Sequence, residues 1–106
     1  MKVLQLPITR HWFDLIKTGD KPVEYREYRD HWISRIEGKK IEFLYFHVGY
    51  RLDAPEMWRR VAQIKVLKPM QLPMDHPFRP KNGEELETDK KYYCIQVGRL
   101  IKVDYH

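Results

Sequence analysis

The chain has one cysteine, Cys94, which excludes a disulfide framework and any cysteine-built metal cluster. A lone thiol fits a reducing compartment. No stretch approaches the ~20 apolar residues that span a bilayer, and the apolar run in Met1-Lys2-Val3-Leu4-Gln5-Leu6-Pro7 is too short for a signal peptide. The expectation is a soluble, cytoplasmic protein with no membrane partner. Also missing are a glycine-rich phosphate loop, a Gly-x-Ser-x-Gly elbow and a strand with a paired-aromatic RNA signature. The five histidines, His11, His31, His47, His76 and His106, are scattered with no i, i+4 pair, so neither a metal nor another cofactor is expected. His11, at a helix start, and His47, after a strand, are the two placed to approach a cleft.

What is present is a globular composition. The 106 residues are 42% hydrophobic and 33% charged, enough for one core and one domain spanning residues 1–106. With 3 Trp, 7 Tyr and 4 Phe, that core is expected to be rich in sheet. Twenty Lys and Arg against 15 Asp and Glu leave a formal charge of +5, which favours polyanions through phosphate neutralisation and counterion release.

Local pattern places the elements. Lys2 to Leu6 reads as a buried strand stopped by Pro7. Thr9 offers an N-cap hydroxyl, and Trp12, Phe13, Leu15 and Ile16 form a helical apolar stripe, predicting a helix over Arg10 to Thr18 with both aromatics in the core. Asp30 is expected to cap a second helix carrying Trp32, Ile33 and Ile36 and ending at Gly38. Ile41 to Phe46 reads as a central strand. Gly49 to Trp58 is irregular, with a helical turn near Ala54 to Trp58, and Val61 to Leu67 is a strand. Lys68 to Gly83 holds Pro69, Pro73, Pro77 and Pro80 and is expected to be a long loop, functional or packed across a barrel mouth. Tyr92 to Val97 and Leu100 to Val103 finish the chain as strands joined by a turn or bulge at Gly98-Arg99, with Cys94 a small core residue. Five or six strands, two or three short helices and no strand-helix alternation predict an α+β chain forming a small β-barrel, closed or nearly so.

The chemistry concentrates in Gly19-Asp20-Lys21-Pro22-Val23-Glu24-Tyr25-Arg26. Gly19 can end the first helix in a left-handed conformation, and Pro22 pushes Lys21 to be extended. Alternation from Pro22 puts Val23 and Tyr25 on one strand face and Glu24, Arg26 and Tyr28 on the other. A lysine, a carboxylate and a guanidinium within reach of one another form a ligand-site pattern; solvent-facing ion pairing is the alternative. Lys21 is read as a mobile cation for phosphate or a polarised carbonyl, Glu24 as an acceptor or base, and Arg26 as a planar fork for phosphate or a partner that keeps Glu24 ionised. Tyr28 joins the site by alternation, and Arg10 and His11 sit at a helix start where an anion is favoured. Tyrosines interleave with basic residues at Tyr25 to Arg29 and Tyr45 to Arg51, an arrangement suited to unpaired bases.

Gly19, Lys21, Glu24 and Arg26 match the Gly-x-Lys-x-x-Glu-x-Arg signature, and over nearly its whole length the chain resembles the ASCH domains, small β-barrels similar to PUA domains. The resemblance implies a PUA-like barrel with these residues lining a cleft beside the first helix. It implies a module that binds single-stranded RNA or a nucleotide-like ligand, or else an enzyme in the same cleft, a modified-nucleobase amidohydrolase or a ribonuclease, with Lys21 and Glu24 catalytic. A protein-interaction module is the third reading. Glu24 stands where the family's acetylcytidine amidohydrolases carry a threonine nucleophile, and a carboxylate does not replace an activated hydroxyl. Thr18, the nearest hydroxyl, reads as a helix-end residue.

Overall fold

The computed structural model describes residues 2–104; His106 lies outside them. Five strands form one mixed sheet in the order β1-β3-β4-β5-β2, curled into a half-barrel. They are β1 (Val3–Pro7), β2 (Val23–Glu27), β3 (Phe43–His47), β4 (Glu56–Leu67) and β5 (Tyr92–Asp104), with helices α1 (Arg10–Thr18) and α2 (Asp30–Ile36). The architecture is α+β. β1 runs parallel to β3, and every other pairing is antiparallel.

The sheet stops short of the closed form that strand counting allows, because β1 and β2 are its two edges. Pro7 belongs to edge strand β1, where a missing N–H costs no central ladder bond. α1 has the predicted bounds, although the Thr9 side chain makes no cap bond. Gly19 ends the helix at φ 89°, and its N–H donates to the Ile16 carbonyl. No atom crowds Gly19, so the left-handed backbone alone demands glycine there. In α2 the cap position falls to Arg29, and Asp30 lies inside the first turn, where its charge suits the helix dipole.

Three stretches differ from the sequence reading. Glu56 to Trp58 is strand, not a helical turn: Met57 is fully buried while Glu56 and Trp58 face the other way, opposite His47 and Tyr45. β3 begins at Phe43 and reaches His47, two residues later at its start and one at its end than expected. β5 is a single 13-residue strand. The irregularity anticipated at Gly98-Arg99 is a bulge, since the register against β4 moves from Arg59↔Leu100 to Val61↔Val97.

Two clusters make up the core. Leu4, Leu6, Phe13, Leu44, Phe46 and Ile95 centre the larger one, packed beneath both helices. Val23, Tyr25, Phe78, Tyr92 and Cys94 form the smaller, so the proline-rich loop supplies core through Phe78. Burial of each such side chain favours folding by about 1.5–3 kcal/mol. The Tyr25 hydroxyl donates to the Phe78 carbonyl at 2.7 Å, pinning the loop against β2. No helix among the described residues is long and apolar enough to cross a membrane.

Candidate functional site

The turn from α1 into β2 sets the site. The Gly19 cap is followed by a Lys21 N–H to Leu15 carbonyl bond of 3.0 Å, and the Pro22 carbonyl accepts from Val97 N at 2.9 Å, so the chain is fixed on both sides of the Lys21-Pro22 bond. Residues three apart on a regular strand face oppositely, yet the Lys21 ammonium lies 3.3 Å from Glu24 Oε1. The turn brings them together before regular alternation begins.

Lys21 is not the mobile cation the sequence reading anticipates. It is 3% exposed, and its ammonium donates to the Val23 carbonyl at 2.9 Å and to Glu84 Oε1 at 2.5 Å. Glu24 Oε1 is a third neighbour, an ion-pair contact beside the two hydrogen bonds. Trp12 and Tyr25 complete its surroundings, each with a ring centroid 5.0 Å from Nζ. A buried ammonium stays in place only when paired this completely.

Glu24 carries cations on both oxygens, Lys21 at Oε1 and Arg26 at Oε2. Arg26 reaches Oε2 through Nη2 at 2.6 Å and Nε at 3.1 Å, two donors on one oxygen, as a charge partner of Glu24. The same Nη2 donates to the Pro7 carbonyl at 2.8 Å, and the guanidinium carbon lies 4.9 Å from the Trp32 ring centroid. A cavity of about 520 Å³ opens here, lined by Glu24, Arg26, Glu84, Trp12, Thr9 and Gly49 among others. Lys21 is absent from its wall and stands behind the two carboxylates.

Glu84 is the residue that sequence reasoning missed. It directly follows the predicted Lys68 to Gly83 loop, 63 positions from Lys21, and no local pattern links the two. The nearest hint is that the loop ending at Gly83, just before it, is expected to be functional or to cross a barrel mouth. A second tie, from Asn82 Nδ2 to the Asp20 carbonyl at 2.7 Å, seats the loop on the motif turn. Burial raises the Glu84 carboxyl above its ordinary value; Lys21 pulls it down again and Glu24 pushes it slightly up, with burial the largest influence.

The other predicted residues fall elsewhere. Tyr28 follows β2 and packs on Tyr93, with ring centroids 5.2 Å apart, outside the cavity wall. Arg10 pairs with Asp14 at 3.1 Å on the exposed side of α1, and His11 sets its ring edge-on to Trp12 at 4.5 Å. Neither lines the cavity. Trp12, read as core, is half-buried and lines it instead, while Phe13 is fully buried as expected. The Thr18 hydroxyl bonds to the Leu15 carbonyl and Asp20, a helix-end role. Among the described residues no group of three or more His, Cys, Asp or Glu side chains is gathered as a metal site requires.

The arrangement is a cleft of balanced charge. Lys21 and Arg26 meet Glu24 and Glu84, so the four formal charges cancel, and an anion gains little from the cluster itself. It offers carboxylate acceptors and a guanidinium edge beside an indole face, groups that suit a planar polar ring. Compared with protein-family models, curated proteins and solved structures, the chain matches none.

Proposed function

We propose that the chain is a PUA-like, ASCH-type module that binds RNA or a nucleotide-like ligand by taking a base into this cleft. The observation that supports the reading is the juxtaposition, in one cavity of about 520 Å³, of the Glu24–Arg26 pair, Glu84 and the half-buried face of Trp12. Carboxylates accept from exocyclic amines and ring N–H groups, a guanidinium donates to carbonyls or phosphate, and an indole stacks on any base. The +5 chain supplies the general attraction to phosphate that the neutral cluster does not.

The test is a side-chain NMR titration with the four ribonucleoside monophosphates and with an eight-nucleotide single-stranded RNA. The Trp12 indole and Arg26 Nε–H signals should shift with at least one mononucleotide, and RNA affinity should fall as salt rises. Absence of shifts at Trp12 and Arg26 with every ligand would overturn the reading.

One observation favours an enzyme in the same cleft. Glu84, raised by burial and held beside Lys21, is better disposed than Glu24 to accept a proton from an attacking water, because both Glu24 oxygens are already paired with cations. Under this second reading, hydrolysis of a modified nucleobase or of RNA is lost in Glu84→Gln while ligand still binds.

A further inference from the structure

The outer face of β3 and β4 carries a row of aromatic rings that the cleft does not use. Leu44 and Phe46 face the core, so alternation turns Tyr45 and His47 to the opposite face of the sheet, where His47 is itself buried and Tyr45 half-buried, and the antiparallel register sets the half-buried Trp58 opposite Tyr45. Ring centroids follow one another at 4.7 Å from Trp58 to Tyr45, 5.1 Å from Tyr45 to His47, and 5.0 Å from His47 to Tyr50. Cross-strand aromatic pairs stabilise a sheet, but they do not require a row that runs out to Tyr50, which is 84% exposed.

The row is rigid in the middle and open at its end. The Tyr45 hydroxyl donates to Glu56 Oε2 at 2.6 Å, and His47 Nδ1 lies 2.8 Å from the Gly49 carbonyl. Rings held in this way form a fixed backing for the exposed Tyr50, which is the ring left open for a ligand to stack on. Tyr45, His47 and Tyr50 border a hollow of about 230 Å³, and Gly49 lines both that hollow and the cleft. The two depressions therefore meet at one residue.

Charge selects the occupant. Lys102 lies opposite Trp58, and Arg60 stacks on Phe43, one pair further along the same face. Arg51 and Lys102 are exposed and, among the described residues, form salt bridges to the neighbouring carboxylates Asp53 and Asp104, pairs so weak that phosphate displaces them at little cost.

We propose that this row is a stacking platform for single-stranded RNA, continuous with the cleft. One base enters the cleft, the backbone passes Gly49, and the next nucleotides lie over Tyr50 and along the row towards Trp58. The proposal rests on the cleft reading for its first nucleotide and adds the path of the strand.

Affinities are measured by fluorescence anisotropy for an eight-nucleotide RNA and by competition for the four ribonucleoside monophosphates. The RNA is expected to bind at least about 10-fold more tightly than the best mononucleotide, and Tyr50→Ala and Trp58→Ala should each weaken RNA about 5- to 100-fold while leaving the mononucleotide unchanged. Tyr50 is so exposed that its substitution cannot be blamed on misfolding. Equal affinity for both ligands, or equal losses for both in Tyr50→Ala, overturns the platform. So does a concentration-dependent dimer that Tyr50→Ala abolishes without any effect on RNA, since the row would then be a protein interface. If RNA binding depends on Tyr50 but no mononucleotide binds, the cleft reading falls and the platform stands.

Discussion

The Arg26 guanidinium on β2 donates to the Pro7 carbonyl on β1 at 2.8 Å, so the two edge strands of the half-barrel are tied by a side chain where no backbone ladder joins them. Because the same group forks onto Glu24, the tie and the site share one residue.

Arg26→Ala is therefore expected to lower stability as well as alter the cleft. Its bonds to a carboxylate and a carbonyl are largely buried, and losing them should cost about 1.5–3 kcal/mol in urea unfolding. Arg26→Lys keeps the charge but cannot serve both acceptors with one planar fork, so it should recover less than half of the loss. An unfolding midpoint equal to wild type in Arg26→Ala would show that the tie carries no weight.

That relationship marks the limit of what the sequence discloses. The Glu24–Arg26 pairing follows from strand alternation and the Gly19 cap from glycine chemistry, and both are local. Pro7 and Glu84 reach the same cluster from distant segments, and only the folded chain decides which loop crosses which edge. Trp12 shows a different limit. A helical stripe identifies the apolar face of α1 but not where that face runs out, so Phe13 falls inside the core and Trp12 at its rim. The span over Glu56 to Trp58 was hidden because Pro55 and a polar lead-in resemble a turn, whereas strand pairing with β3 decided the matter.

Gly98 offers a test of the bulge. A Cβ there would lie 2.8 Å from the Arg60 carbonyl oxygen and 3.2 Å from its carbonyl carbon, backbone atoms that have little room to yield. Arg59 Nε also donates to the Gly98 carbonyl at 2.9 Å. Gly98→Ala should destabilise by about 1–3 kcal/mol, the range for forced overpacking. A stability unchanged within error would mean that the β4–β5 register relaxes freely at this point.

Tyr45 links the ring row to pH. Its hydrogen bond to Glu56, aided by burial and by the nearby carboxylate charge, pushes the phenol from 10.0 up to about 12. A raised folded value means that the contribution to stability is complete below the unfolded value and is lost as pH rises through the folded one. Glu56→Ala should thus lower the Tyr45 midpoint towards its ordinary value and reduce stability mainly below about pH 10. Spectroscopic titration of tyrosinate in the two proteins measures the difference, and coincident curves would remove Glu56 as the cause.

Lys21→Met probes the centre of the cluster. The substitution leaves Glu24 and Glu84 buried together with Arg26 as their remaining cation, and loss of one partner from a buried ionic group costs about 3–5 kcal/mol at neutral pH. Glu84 is already raised above its ordinary 4.5 by burial, and Lys21 restrains it more than Arg26 does, so removing Lys21 should raise it further. For a carboxyl raised in the folded state, the stabilising contribution is complete below the unfolded value and fades as pH climbs through the folded one. Acidification from about pH 7 to pH 5 should therefore shrink the stability deficit of Lys21→Met, because the folded variant takes up a proton on Glu84 before the unfolded chain does. Adding Glu84→Gln to Lys21→Met should flatten that dependence, since the group that titrates is gone. Urea unfolding of both variants at the two pH values decides it: a deficit that does not change with pH in Lys21→Met, or one that changes equally in the double variant, would show that Lys21 does not hold the Glu84 charge in place.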